Sequence, residues 1–161
     1  MKRPINHIDI GKHLKKTGRL ILLADMISGL LLLLFLYTST SKLTDNGIFK
    51  NVLTASPLLK SYAGTIAWLV PCTEIAIAIL LFIPRFRIKG LITSVILITL
   101  FTIYLLYMIA FTPNLPCSCG GVVQFLTWPQ HIVFNLFFIF LSVAGIILYH
   151  RAKSLKSSSP P

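Results

Sequence analysis

Leu20 to Thr38 reads LILLADMISGLLLLLFLYT, an apolar run interrupted by one acid, with the core LLLLFLY at Leu31 to Tyr37. A helix rises 1.5 Å per residue, so such a run comes close to the ~30 Å hydrocarbon thickness of a bilayer. It predicts a membrane-spanning helix. Three further runs qualify on the same grounds: Tyr62 to Ile83, Leu91 to Phe111 and His131 to Tyr149. None alternates with period two over its length, which argues against a β-barrel. The first run is expected to be a retained helix rather than a cleaved signal peptide: the basic region before it is long, the run exceeds a usual apolar h-region, and no small-x-small site follows. The expected fold class is therefore all-α, a polytopic membrane four-helix bundle spanning residues 20–149, with helices near 20–38, 62–83, 91–111 and 131–149.

Composition agrees. The 161 residues are 55% hydrophobic and 12% charged, with a mean hydropathy of +0.83, so a soluble domain of this size would expose large contiguous apolar patches. The formal charge of +11 fits nucleic acid or an anionic membrane surface equally well until the charges are placed. Lys2, Arg3, Lys12, Lys15, Lys16 and Arg19 precede the first span, Arg85, Arg87 and Lys89 fill the second connection, and Arg151, Lys153 and Lys156 follow the fourth. Only Lys42, Lys50 and Lys60 fall on the other side, and the connection Thr112 to Gln130 is uncharged. The positive-inside rule then places both termini in the cytoplasm and the first and third connections outside. The basic excess is a topology signal, and nucleic acid is not an expected partner. The stretch 1–19 suits an interfacial segment on anionic lipid. The tail 150–161 has nothing to bury and is expected to be disordered and cytoplasmic. A short interfacial helix is expected around Gly47 to Leu53, over the outer end of the bundle.

Helices in lipid associate through small and polar residues, so the inward faces follow from where these recur. The second span carries Gly64, Ala67, Pro71, Glu74 and Ala78 on one stripe, and the fourth carries His131, Asn135, Phe138, Ser142, Gly145 and Tyr149. The first offers Asp25, Ser28, Gly29, Leu32, Leu36 and Ser39. The third shows no clear face, although Tyr104 and Tyr107 stand near its outer end. Glu74 is an intramembrane carboxylate, costly unless paired or protonated. It reads as a proton relay or ligand contact, or as a packing hydrogen bond to another helix, with Lys42 reaching down as partner. Asp25 lies near the cytoplasmic interface, where Arg19, Arg85 or Arg87 can neutralise it. Pro71 reads as a kink whose freed carbonyl is satisfied by a neighbour.

The strongest chemical signal is Pro116-Cys117-Ser118-Cys119-Gly120-Gly121 in the uncharged connection. Two thiols one residue apart can form a small, strained and reducible disulfide ring, and the exterior is the compartment where disulfides persist. Proline and the glycine pair suit a turn that presents both sulfurs. Trp128-Pro129-Gln130-His131 follows, and His131 can accept a thiol proton. A structural turn, or copper or zinc bound with His131, fits the same residues, although two thiols and one imidazole make an incomplete ligand set. Cys72 is the odd third cysteine, off the inward stripe of its span, and reads as a third thiol or a small apolar filler.

These residues resemble the DoxX/MauE group of small four-helix bacterial membrane proteins associated with redox chemistry. The resemblance rests on Ser41-Lys42-Leu43 closing the first span, on Pro71-Cys72-Thr73-Glu74, and on Cys117-Ser118-Cys119-Gly120-Gly121 followed by Trp128, His131 and Asn135. The cysteine pair favours the MauE-type, methylamine-utilisation branch. Members of that branch are implicated in handling disulfides of exported proteins beside a thioredoxin-like partner, and relatives of DoxX occur in quinone-linked sulfur oxidation. The resemblance thus implies a bacterial inner-membrane protein whose Cys117 and Cys119 exchange electrons with an exported thioredoxin-like protein. In that reading His131 tunes the thiols and Glu74, Asn135 and Lys42 line the polar interior beneath. A quinone acceptor within the bundle is compatible with this reading and has no distinct motif. Two readings of other classes stay open: a non-catalytic subunit that anchors or assembles a redox or transport complex, and a metal-binding or small-solute transport protein.

Overall fold

The computed structural model describes residues 7–56, 58–111 and 128–157. They form α1 (His7–Thr44), α2 (Asn46–Ala55), a 3-10 turn (Lys60–Tyr62), α3 (Ala63–Phe82), α4 (Arg87–Phe111) and α5 (Trp128–Ser157), with no strand among them. Four segments are long and apolar enough to cross a bilayer: Lys15–Thr44, Lys60–Phe82, Arg87–Phe111 and Pro129–Leu155. The chain is an all-α, multi-pass membrane bundle.

α1 packs against α3 and α5, and α4 packs against the same two, so α1 faces α4 across the bundle diagonal. Leu31 and Phe35 of α1, Ile77 and Leu81 of α3, Leu91 and Ile98 of α4, and Phe138 of α5 meet in the central core. The outward faces are apolar too. Leu33 is 64% exposed and Phe140 72%, an arrangement that only lipid covers without penalty. Hydroxyls inside the bundle bond back to their own helices: Ser28 to the Ala24 carbonyl at 2.9 Å, Ser94 to Gly90 at 2.7 Å, Thr102 to Ile98 at 2.8 Å and Ser142 to Phe138 at 2.8 Å. They cross the core already satisfied.

The faces of α3 and α5 follow the small and polar stripes closely. Ala67, Pro71, Glu74 and Ala78 are buried on α3, and His131, Asn135, Phe138, Ser142 and Gly145 on α5, with Tyr149 half-buried. Gly64 is exposed, and Ala63 takes the inward place. The expected face of α1 is rotated: Ala24, Ser28, Leu31, Phe35, Ser39 and Lys42 point inward, whereas Gly29 and Leu36 are exposed. Small residues mark an inward face only where two backbones approach closely. Gly29 lies on the exposed side of α1, and a Cβ there would meet nothing within 4 Å. Close approach occurs elsewhere. A Cβ on Gly90 would lie 3.0 Å from Leu81, and one on Gly145 would lie 3.2 Å from Ile27 and 3.3 Å from Leu91. On α4 the inward face is Leu91, Ser94, Ile98, Thr102, Leu105 and Met108.

Helix ends also extend past the apolar runs. α1 starts thirteen residues before Leu20, and α5 continues through His150 to Ser157, where basic residues suit the negative end of a helix dipole. The helical part of the tail therefore departs from the disorder expected of 150–161, and residues 158–161 lie outside the described residues. The short helix expected around Gly47 to Leu53 is α2, packed on α3 through Phe49 and Leu53.

Candidate functional site

α1 and α2 join at one residue, Asp45, whose amide donates to the Ser41 carbonyl and whose carbonyl accepts from the Phe49 amide, each at 3.0 Å. The corner folds α2 back over the end of α3. There Pro71 has no amide hydrogen, so the Ala67 carbonyl four residues earlier loses its helical donor. The Asn46 side-chain amide, at the start of α2, donates to that carbonyl at 3.2 Å. The freed carbonyl expected behind Pro71 is thus satisfied, and the same bond sets α2 on α3.

One turn beyond Pro71, Glu74 is 2% exposed and accepts a hydrogen bond from Lys42 of α1, Nζ to Oε1, at 2.8 Å. The ammonium lies 5.9 Å from the ring centre of Phe49 on α2 and 5.6 Å from that of Phe101 on α4, which adds cation–π attraction. Glu74 Oε2 is buried without a hydrogen-bond partner among the described residues. The pair lines a cavity of about 580 Å³ reaching all five helices. His131 and Asn135 of α5, Tyr104 and Tyr107 of α4, and Thr38 of α1 also line it, and most of the remaining wall is aliphatic or phenyl. His131, the fourth residue of α5, is 6% exposed.

Four of the residues singled out in the sequence, Lys42, Glu74, His131 and Asn135, therefore line one cavity. Cys117 and Cys119 lie outside the described residues. Cys72 does not share the cavity: its thiol is free and exposed on the outer face of α3, so it fills no interior gap. Phe49, Phe101 and Thr38 had no sequence signal, since a lone aromatic or threonine in an apolar span is ordinary packing.

A second polar cluster occupies the opposite end of the bundle. Arg87, the first residue of α4, pairs with Asp25 of α1, donates to the Tyr149 hydroxyl of α5 at 3.0 Å, and sends Nε to the Leu81 carbonyl of α3 at 3.3 Å. Tyr149 in turn donates to Asp25 at 2.6 Å. One guanidinium thus ties all four long helices, using the planar fork that distinguishes arginine from lysine. Of the three cations within reach of Asp25 in the sequence, Arg87 is the partner.

No curated protein and no solved structure matches the chain. Residues 20–148 match the sequence profile of the family described as methylamine utilisation protein MauE. The match takes in α2, α3 and α4 whole, most of α1 and α5, and the Lys42–Glu74 pair, and the chain belongs to the MauE family.

Proposed function

We propose that the chain is an inner-membrane component of methylamine utilisation whose Cys117 and Cys119 carry out thiol–disulfide exchange with an exported thioredoxin-like protein. The family name supplies the process. The charge distribution supplies the side: with the basic residues cytoplasmic, the Cys-x-Cys connection faces the exterior. The observation that carries the reading is the place of His131, buried in the first turn of α5 just after that connection and lining the same cavity as Lys42 and Glu74. An imidazole there can take a proton from a thiol and raise its thiolate fraction. The exchange is balanced within the two proteins. A thiolate of one attacks the disulfide of the other, a mixed disulfide forms, and the second thiol resolves it, so that one dithiol is oxidised as one disulfide is reduced.

Thiol trapping in a Cys72→Ser background tests the reading. Mild oxidation is expected to join Cys117 to Cys119, and Cys117→Ser or Cys119→Ser is expected to capture the partner as a mixed disulfide. A chain that never forms the internal bridge, with neither single variant holding a partner, overturns it. The side is tested separately with a membrane-impermeant maleimide on intact cells. Labelling of Cys119 from outside is expected, and reactivity from the cytoplasmic side alone reverses the orientation.

A further inference from the structure

α3 and α4 are pinched together near Arg87, where a Cβ on Gly90 would lie 3.0 Å from Leu81, whereas toward the Lys42 end the cavity stands between Ile66 and Val70 of α3 and Leu97 and Tyr104 of α4. It opens to the side. Leu58, between α2 and the 3-10 turn, and Leu100 and Ile103 of α4 line it and are each more than half exposed on the apolar outer surface, so whatever enters there comes from the hydrocarbon. On α4 the lining runs from Leu97 to Tyr107, about 15 Å of helix, which is one leaflet's share of the ~30 Å hydrocarbon core. The matter at that depth is acyl chain. Lys42 and Glu74 cancel each other's charge, and the low dielectric makes a further net charge beside them costly, so the part of the occupant inside the bundle is uncharged.

A charged head is held at the rim instead. Lys60 follows Leu58 by two residues, and a Cβ on Gly64, at the start of α3, would lie 4.0 Å from Lys50 Cε, so both lysines flank the same corner. Both are exposed, and neither forms an ion pair among the described residues. Every other exposed lysine or arginine among the described residues belongs to the segments at the Arg87 end, which leaves these two as the cations beside the mouth. Tyr62, in the same 3-10 turn as Lys60, is 67% exposed, as suits a ring at headgroup level.

We infer that the cavity seats one acyl chain of an anionic glycerophospholipid, which enters between Leu58, Leu100 and Ile103 while its phosphate stays at the surface on Lys50 and Lys60. The second chain remains in the bilayer. The site does not depend on Cys117 or Cys119.

The test is native mass spectrometry of the full chain, delipidated in maltoside micelles and titrated with dioleoylphosphatidylglycerol, dioleoylphosphatidylcholine or glycerol 3-phosphate. The phosphatidylglycerol is expected to saturate one site per chain and to bind about fivefold more tightly than the zwitterionic lipid, while the free phosphate, which has no chain to bury, does not bind. Lys50→Gln/Lys60→Gln should bring the two lipids to equal affinity. Ile66→Phe, which narrows the cavity, should weaken both. The Cys117→Ser/Cys119→Ser chain should titrate like wild type, which separates this site from the thiol chemistry. Insertion is read directly with a phosphatidylglycerol that carries a diazirine in one acyl chain: cross-links are expected at Ile98 and Leu105, buried residues of the cavity wall that bulk lipid does not reach. Cross-links confined to lipid-facing positions such as Leu33 and Phe140, equal affinities for the two lipids in wild type, a preference that survives Lys50→Gln/Lys60→Gln, or unchanged affinity in Ile66→Phe overturns the inference.

Discussion

The two ends of the bundle each hold an ion pair between helices distant in sequence, yet they are built on opposite plans. At the Arg87 end Asp25, Tyr149, the guanidinium and the Leu81 carbonyl bond one another, and Gly90 and Gly145 nearby leave little room for a methyl group. At the Lys42 end the pair is more deeply buried, one carboxylate oxygen stays unmatched, and open space adjoins it. Intramembrane charge is a mark of function only where bonding capacity is left over; where every group is satisfied, the charges fasten helices together. The contrast separates a clasp from a site within one bundle.

The largest test of that contrast removes one charge from the deeper pair. Glu74→Leu strands an ammonium in the interior and is expected to cost about 3–5 kcal/mol in SDS-driven unfolding of the purified protein, while Lys42→Met with Glu74→Leu should recover most of the loss. If the double variant is no better than the single, the penalty is not that of an unpaired charge. Packing comes next. Gly145→Leu at the tight end should cost about 1–3 kcal/mol by the same measurement, whereas Ile66→Phe, which grows into the cavity, should cost less than about 1 kcal/mol. Equal losses would mean that the cavity is not available space. Smaller again, Asp25→Asn or Tyr149→Phe should each lower stability by about 1 kcal/mol, since the clasp is partly exposed and its remaining members can re-pair. A loss as large as that of Glu74→Leu would make the two ends equivalent and erase the distinction.

Much of this was legible in the residues. Four long apolar runs leave little choice of fold in a bilayer, and a lone glutamate in one span with a lysine closing another must find each other or stay neutral. That logic offers Lys42 as a partner for Glu74, beside a relay or ligand role for the carboxylate, and narrows Asp25 to a few cations. It does not reach Tyr149, whose hydroxyl could as well have faced an interface. The rotation of α1 was hidden because glycine marks close contact only where another helix comes near, and Gly29 faces open space. The cavity was hidden for a related reason: its volume is set by the spacing of five helices and by the corner at Asp45, and no single stretch of chain records that spacing. The placement of Lys42, Glu74, His131 and Asn135 could be anticipated; the space between them could not.

Pro71 gives the Asn46 bond a consequence for mutation. A proline in a helix counts as a defect, and Pro71→Ala should restore the amide donor to the Ala67 carbonyl and strengthen α3 locally. That repaired bond competes with the Asn46 amide, which is expected to weaken the seating of α2. The expected outcome is little change in global unfolding with faster amide hydrogen exchange in residues 46–55, and unchanged exchange there would show that Phe49 and Leu53 alone hold the helix. The gap in the α3 ladder thus acts as an address: it tells a helix formed some twenty residues earlier where to lie, and mending it removes the instruction.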